Sequence, residues 1–175
     1  MSGHNKWSKI KNRKAVTDAQ KSKIFTKVVR LLTVEAKKAH GDVTAPGLAT
    51  AIAKAREANM PGDNIDRAVK KASSDPATMD TIIYEAYGPG GCAIVIEALT
   101  DNRNKAAQEV KHILSLNGTE LAGMGAATWA FEKTHDGFIP KTTVALSDED
   151  GAKLGDLIEA LEENDEVQNV YTNAE

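Results

Sequence analysis

Residues 3–30 hold nine lysines or arginines and a single acid, Asp18, in a chain whose net charge is −3. Five of those cations, Lys6, Lys9, Lys11, Arg13 and Lys14, fall within nine residues, and Trp7 stands among them. Cations interleaved with an aromatic ring suit a polymer that offers closely spaced phosphates and stackable bases. Each neutralised phosphate releases counterions and adds about −0.9 to the log–log salt slope on duplex DNA, so roughly five to eight contacts give useful affinity without reading any base. Two other descriptions fit the same residues. One is a solubilising tail with Trp7 packed on the following helices; the other is a basic amphipathic segment on an acidic membrane surface.

Three more stretches have site-like composition. In NMPGDNIDRAVKK, residues 59–71, Asn59, Asn64 and Arg67 could bond phosphate or base edges at a helix N-terminus. The same residues also make a tight turn with capping side chains. TDNRNK, residues 100–105, clusters Asp101, Asn102, Arg103 and Asn104 between a strand and a helix. A cap accounts for Asp101 or Asn102, whereas Arg103 would face a ligand or pair with a carboxylate. YGPGG, residues 87–91, is rich in glycine but lacks the spacing and lysine of a phosphate-binding loop, and reads as a hairpin turn.

Bond-making chemistry finds no support in the sequence. His4, His40, His112 and His135 are scattered, with no metal-ligand spacing, and no nucleophile elbow occurs. The lone cysteine, Cys92, sits in the apolar run CAIVIEAL and reads as a core residue in a reducing compartment. The expectation is therefore a cytoplasmic protein that is not an enzyme. It has no cofactor, no metal, no small-molecule substrate and no membrane-spanning segment.

The elements that would position these residues divide into two textures. From about Thr17 a helix is predicted, with Asp18 favouring its start. Ile24, Phe25, Val28, Leu31, Leu32, Glu35 and Ala39 recur at spacings of three and four, and Gly41 stops the pattern. Lys21, Lys23, Lys27 and Arg30 then fall mostly toward solvent, and with the basic arm they are expected to contact nucleic acid. A second helix is predicted over 47–58 with Pro46 near its start, and a third follows NMPGDN with Asp63 or Asn64 as cap. SSDPAT, residues 73–78, reads as a linker. Beyond it, TIIYEAY and CAIVIEAL form a hairpin, and a helix after TDNRN closes at Asn117-Gly118. GAATWAFEK and FIPKTTVAL read as strands, Pro140 placing the start of the latter at an edge or bulge. Ser147 with Asp150 caps a further helix, and EVQNVYT is the last strand.

The order β-β-α-β-β-α-β predicts an α+β protein. A basic arm and three-helix domain, residues 1–77, precede a ferredoxin-like α+β sandwich domain, residues 78–175, with two helices on one face. Charge is segregated as well. Residues 147–175 hold ten acids and one base, Lys153, which reads as a solvated face.

Four stretches carry a resemblance: GHNKWSKIKNRKAVTDAQKSKIFTKVVR, NMPGDNIDRAVKK, YEAYGPGGCAIVIEALTDNRNKAAQEVKHIL and DEVQNVYTN, in that order across nearly the whole chain. Together they resemble the YebC family. That family includes bacterial proteins described as DNA-binding transcriptional regulators and mitochondrial translational activators; members are also described as ribosome-acting translation factors. The resemblance implies a helical N-terminal domain followed by α+β domains. It places Lys6, Trp7, Lys9, Lys11, Arg13 and Lys14 on the contact surface, with Asn59, Met60, Pro61, Asn64, Arg67 and Asp101 to Asn104 in the family's other distinctive motifs. It also implies a third domain inserted in the second, yet here FEKTHDGF passes directly into IPKTTVAL. The expected function is a nucleic-acid-binding regulator of gene expression, a transcriptional regulator on DNA. The alternative is a factor on ribosomal RNA, with the ribosome as partner. Unpaired RNA would give Trp7 a base to stack on, which duplex DNA would not.

Overall fold

The structure is a computed structural model that describes residues 18–75 and 78–175. The expected contacts Lys6, Trp7, Lys9, Lys11, Arg13 and Lys14 lie outside the described residues, as does the side chain of Asp18. The chain forms two compact units. One is helical and runs to Asp80, with Leu99–Asn102; the other comprises Thr81–Ala98 and Arg103–Glu175.

The helical unit contains α1 (Asp18–Lys38), α2 (Pro46–Glu57) and α3 (Gly62–Ser74). Val28, Leu32 and Ala36 of α1 share a core with Leu48, Ala51 and Ala55 of α2, and with Ile65, Val69 and Ala72 of α3. Phe25, Leu31 and Ala39 pack along its margin. Ile24, expected in the stripe, is 41% exposed, and Ala36 takes the buried place instead. Glu35 lies on the stripe where a glycine of α2 leaves it room. A Cβ on Gly47 would overlap Glu35 Oε2, so this carboxylate lies against the first turn of α2. Lys38 Nζ donates to the other oxygen, Oε1, at 2.8 Å. Gly41, at φ 81°, ends the α1 region as expected, its N–H donating to the Ala36 carbonyl oxygen at 2.9 Å.

Two local expectations are corrected in this unit. Asp63 and Asn64 do not cap α3. The helix starts at Gly62 after Pro61, whose fixed φ of −57° leads into it, and both residues lie exposed in its first turn. The expected linker at 73–78 also begins later, because α3 continues through Ser73 and Ser74. Their hydroxyls donate back to the carbonyl oxygens of Val69 and Lys70.

The α+β unit carries β1 (Asp80–Tyr87), β2 (Ala93–Thr100), α4 (Arg103–Leu116), β3 (Leu121–Ala122), β4 (Phe131–Thr134), β5 (Gly137–Pro140), α5 (Asp148–Glu162) and β6 (Val167–Thr172). The α+β class is as expected. One sheet has the order β3-β1-β2-β6, and β4 pairs with β5 as a separate antiparallel hairpin. Alternation along β2 explains the layering. Ile94, Ile96 and Ala98 face a core with Ala106, Val110 and Leu114 of α4 and Leu154, Leu157 and Leu161 of α5. Ala93 and Val95 face the opposite way, toward Ala127, Ala130, Phe131 and Phe138. Both helices thus cover one face, and the β4–β5 hairpin with the loop before it covers the other. At the start of α5 the Ser147 hydroxyl accepts from the Asp150 N–H, the expected cap.

GAATWAFEK is only partly a strand: Thr128–Ala130 form a 3-10 turn, and extended backbone starts at Phe131. The cause is Glu85, 4% exposed on β1. Its Oε1 accepts from the Gly125 N–H at 2.7 Å, and its Oε2 from the N–H groups of Ala127 and Thr128 at 2.7 and 2.8 Å. Those three bonds fold the loop onto the sheet and preclude a ladder. FIPKTTVAL is likewise shorter than expected. Its strand closes at Pro140 instead of opening there, paired opposite Phe131.

Burial pushes the Glu85 carboxyl up, but the backbone donors outweigh it and hold the pKa below its ordinary value. Its stabilising effect is therefore full above the unfolded carboxyl pKa of about 4.3, and is lost as pH falls through the lower folded value. Glu85→Gln turns an amide NH2 toward backbone donors, and urea unfolding at pH 7 is expected to show a loss of about 1–3 kcal/mol. The difference from the parent should shrink below about pH 4.3. Gly137→Ala is expected to cost about 2 kcal/mol or more in the same assay. Its φ is 121°, and a Cβ there would overlap the Tyr171 ring.

Candidate nucleic-acid interface

The core pairing of α1 with α3 leaves the next helical stripes outside. They bound a groove of about 310 Å³ lined by Phe25, Val29, Met60, Asn64, Arg67, Ala68 and Lys71. Its floor is apolar: Met60 is buried, Phe25 and Ala68 are half-buried, and Val29 is 41% exposed. Its polar rim comes from α3, where Asn64, Arg67 and Lys71 are exposed and stand three and four residues apart on one face. A second shallow surface shares Arg67 and Lys71 and adds Asp63, Asp66, Lys70 and Ser74. Among the described residues, no ion pair engages Arg67, Lys70 or Lys71. Those three cations face solvent with their charge uncompensated by a bound carboxylate.

The cations of α1 are placed differently from expectation. Lys21 is exposed, but Lys23, Lys27 and Arg30 are half-buried. All four engage other groups, and Arg30 Nη1 donates to the Leu99 carbonyl oxygen at 3.2 Å within the same unit. Their positions border Val28 and Leu31, which pack on the core, and the Arg30 Nε is buried.

NMPGDN resolves into two roles. Asn59 is exposed with φ 59°, a left-handed conformation that asparagine tolerates after a helix end, and the Met60 N–H donates to the Ala55 carbonyl oxygen at 2.9 Å. Met60 enters the core and Pro61 leads into α3. Asn59, Met60 and Pro61 thus build the turn, while Asn64 and Arg67 line the groove.

Arg103 opens α4 in the α+β unit, whereas Asn64 and Arg67 belong to the helical unit. It is exposed and engages other groups, and its charge acts on the buried Tyr84 phenol. Burial, then the Glu166 carboxylate, push that phenol's pKa up against the opposing effect of Arg103. Asp101, Asn102 and Asn104 are exposed, and the Asn102 N–H donates to Thr100 Oγ1 at 2.9 Å, which accounts for the turn without a ligand. Pro89–Gly91 form a 3-10 turn between β1 and β2 with Gly90 at φ 69°.

Lys70, Lys71, Phe25 and Val29 belong to these surfaces but were not singled out from the sequence. The signal was present in the spacing 64-67-71, which puts one amide and two cations on a single helical face. Phe25 and Val29 look like ordinary stripe residues until α3 is placed beside them.

Among the described residues, no group of three or more His, Cys, Asp or Glu could hold a metal ion. Cys92 is buried, and burial pushes its thiol pKa up. No helix among the described residues is long and apolar enough to cross a membrane. The surface offers charge, an amide and apolar contact, which are means of binding.

Comparison with known proteins places this arrangement in a family. Residues 5–75 match the TACO1/YebC protein N-terminal domain, and residues 79–135 and 134–174 match the TACO1/YebC second and third domain. A "Probable transcriptional regulatory protein" of Pseudothermotoga lettingae is 38% identical over 238 positions, covering 100% of this chain and 94% of the relative. One of the same name from Petrotoga mobilis is 47% identical over 152 positions, covering 85% of this chain and 61% of the relative. The crystal structure of a conserved hypothetical protein from Aquifex aeolicus superposes with a TM-score of 0.80 at 28% identity, over 90% of this chain and 91% of that one. The 238 aligned positions exceed the 175 residues here, so the Pseudothermotoga protein has residues with no counterpart in this chain. The two matched stretches of the second model meet at residues 134–135, in the turn between β4 and β5. On these matches, which together span most of its length, the chain belongs to the TACO1/YebC family.

Proposed function

We propose that this chain is a transcriptional regulatory protein that binds DNA in the cytoplasm through its N-terminal basic residues and the exposed cations of α3. The observation that carries the reading is the charge of residues 3–30, nine cations against one acid in a chain of net charge −3. A concentration of like charge in a chain of opposite net sign is suited to a polyanionic partner. Lys6, Lys9, Lys11, Arg13 and Lys14 neutralise phosphates, and Trp7 adds ring contact. Arg67, Lys70 and Lys71 offer further phosphate contacts on α3. The relatives' names supply the regulatory role. Binding of this kind makes and breaks no covalent bond, so regulation follows from occupancy of the nucleic acid.

Fluorescence anisotropy with a promoter duplex and a random duplex tests the proposal. Between 50 and 200 mM salt the affinity is expected to fall at least about a hundredfold. Deleting residues 1–16 should flatten the log–log slope by about 0.9 for each phosphate that the arm had neutralised. A slope unchanged by the deletion overturns the assignment of the arm. Failure to bind either duplex, with arm-dependent cosedimentation on ribosomes, replaces DNA by ribosomal RNA.

Arg67→Ala with Lys71→Ala is expected to weaken duplex binding about equally for the promoter and random fragments. Contacts to phosphate position a protein without specifying sequence. A change confined to the promoter fragment would assign these side chains to bases instead.

A further inference from the structure

Resting on that DNA-binding reading, we infer that the α1–α3 groove seats one unpaired base of a single DNA strand, held between the apolar floor and the Asn64 amide. Phosphate contacts alone require only exposed cations. They do not explain why Arg67 and Lys71 flank a recess floored by Phe25, Val29, Met60 and Ala68. An apolar recess with a cationic rim matches a nucleotide, which joins a flat, poorly hydrated ring to an anion. The recess of about 310 Å³ lies at the small end of ligand sites, a size that suits one base. The lining contains two cations and no acid, whereas Asp63 and Asp66 lie on the adjoining surface of α3. The charge lining the groove itself therefore favours phosphate.

Asn64 gives the groove its reading capacity. A carboxamide presents a donor and an acceptor side by side and can bond two atoms of a base edge. In a duplex the Watson–Crick edge is occupied, so an amide at the mouth of a recess meets that edge only on an unpaired strand. From Asn64 to Arg67 and Lys71 the helix rises about 4.5 and 10.5 Å, enough for the two cations to reach phosphates beside the seated base. The structure thus divides the work: the arm supplies attraction that is blind to sequence, and the groove selects opened strand.

The experiment uses the full chain and anisotropy with four probes: a 12-nucleotide DNA strand, its duplex, a set of the same strand with one abasic site at successive positions, and the RNA of the same sequence. Val29→Gln and Asn64→Ala alter exposed positions and no charge, and their folding is checked by thermal melting. Each is expected to weaken the DNA strand roughly tenfold, with its salt slope and the duplex affinity unchanged. One register of the abasic set should weaken by a similar factor. Arg67→Ala should also reduce the single-strand slope by about 0.7. Equal losses on strand and duplex, or none on the strand, overturn the groove assignment while leaving duplex binding intact. Tighter, equally variant-sensitive binding of the RNA overturns the choice of DNA. A parent protein that binds none of the probes overturns the underlying reading itself.

Discussion

Close packing of aliphatic side chains along α1 decides what the helical unit can present. Aromatics make up 5% of the chain, so cores are filled by Leu, Ile, Val and Ala, whose small bulk brings helix axes close together. Val28, Leu32 and Ala36 commit one face of α1 to the core shared with α2 and α3. Once Ile65, Val69 and Ala72 commit α3 to the same core, the rotation of both helices is fixed. The stripes beginning at Phe25 and Val29, and at Asn64 and Arg67, must then border each other at the surface. The groove is a consequence of core register, and a turn of either helix about its axis would move its floor and rim apart. Met60 ties the two features together, since it is buried in that core and also lines the groove.

The α+β unit obeys a different constraint. Its central strand β2 is buried on both faces, so each face needs its own cover. Helices α4 and α5 cover one with leucines. The other is covered by irregular backbone, whose N–H groups need acceptors away from water. Glu85 supplies acceptors for three of them, and its own ionised form is stabilised in return. Glu97, on the same face, accepts from Tyr171 Oη at 3.4 Å and Asn169 Nδ2 at 3.1 Å. Burial and the Glu97 carboxylate push the Tyr171 phenol's pKa up to about 12, so it remains a donor. The β4–β5 hairpin completes this cover. Thr134 lies opposite Gly137 across the turn, so the strand ends adjoin. A longer relative can carry extra residues there, and this chain can close the gap with His135 and Asp136, without either arrangement disturbing the pairing.

The helical periodicity of 24–39, the breaks at Gly41 and Asn117-Gly118, the Ser147 cap and the alternation of CAIVIEAL were readable because each depends on neighbours in sequence. What escaped depended on partners far along the chain. Glu85 looks like the polar residue of a half-buried strand until residues 125–128 arrive forty positions later. Glu35 breaks an apolar stripe for no local reason, and its reason is the start of α2. Lys23, Lys27 and Arg30 read as solvent-facing because spacing gives the face of a residue but not how far its stem lies along the core. In the candidate site, Asn64 and Arg67 were legible from the motif, whereas the floor that gives them a ligand-like setting required two helices to be juxtaposed. The cap assigned to Asp63 or Asn64 failed because Pro61 can lead into a helix without a side-chain acceptor.

If the chain binds nucleic acid as proposed, the placement of charge gives that binding two ranges. Attraction by exposed cations extends about a Debye length, roughly 8 Å at physiological ionic strength, and weakens as salt rises. Contact between a ring and an apolar floor acts only at van der Waals distance and is nearly indifferent to salt. A protein with only the first would hold any polyanion, and one with only the second would find its target slowly. Residues 3–30 concentrate the first, while the rest of the chain, net −11, opposes loose adhesion of nucleic acid elsewhere on the surface. Arg67 and Lys71 stand where the two ranges meet, exposed to solvent and at the edge of the recess. On the proposed reading, their position would make the handover from long-range capture to short-range fit a property of one helical face, set by the same core register that buries Ile65 and Val69.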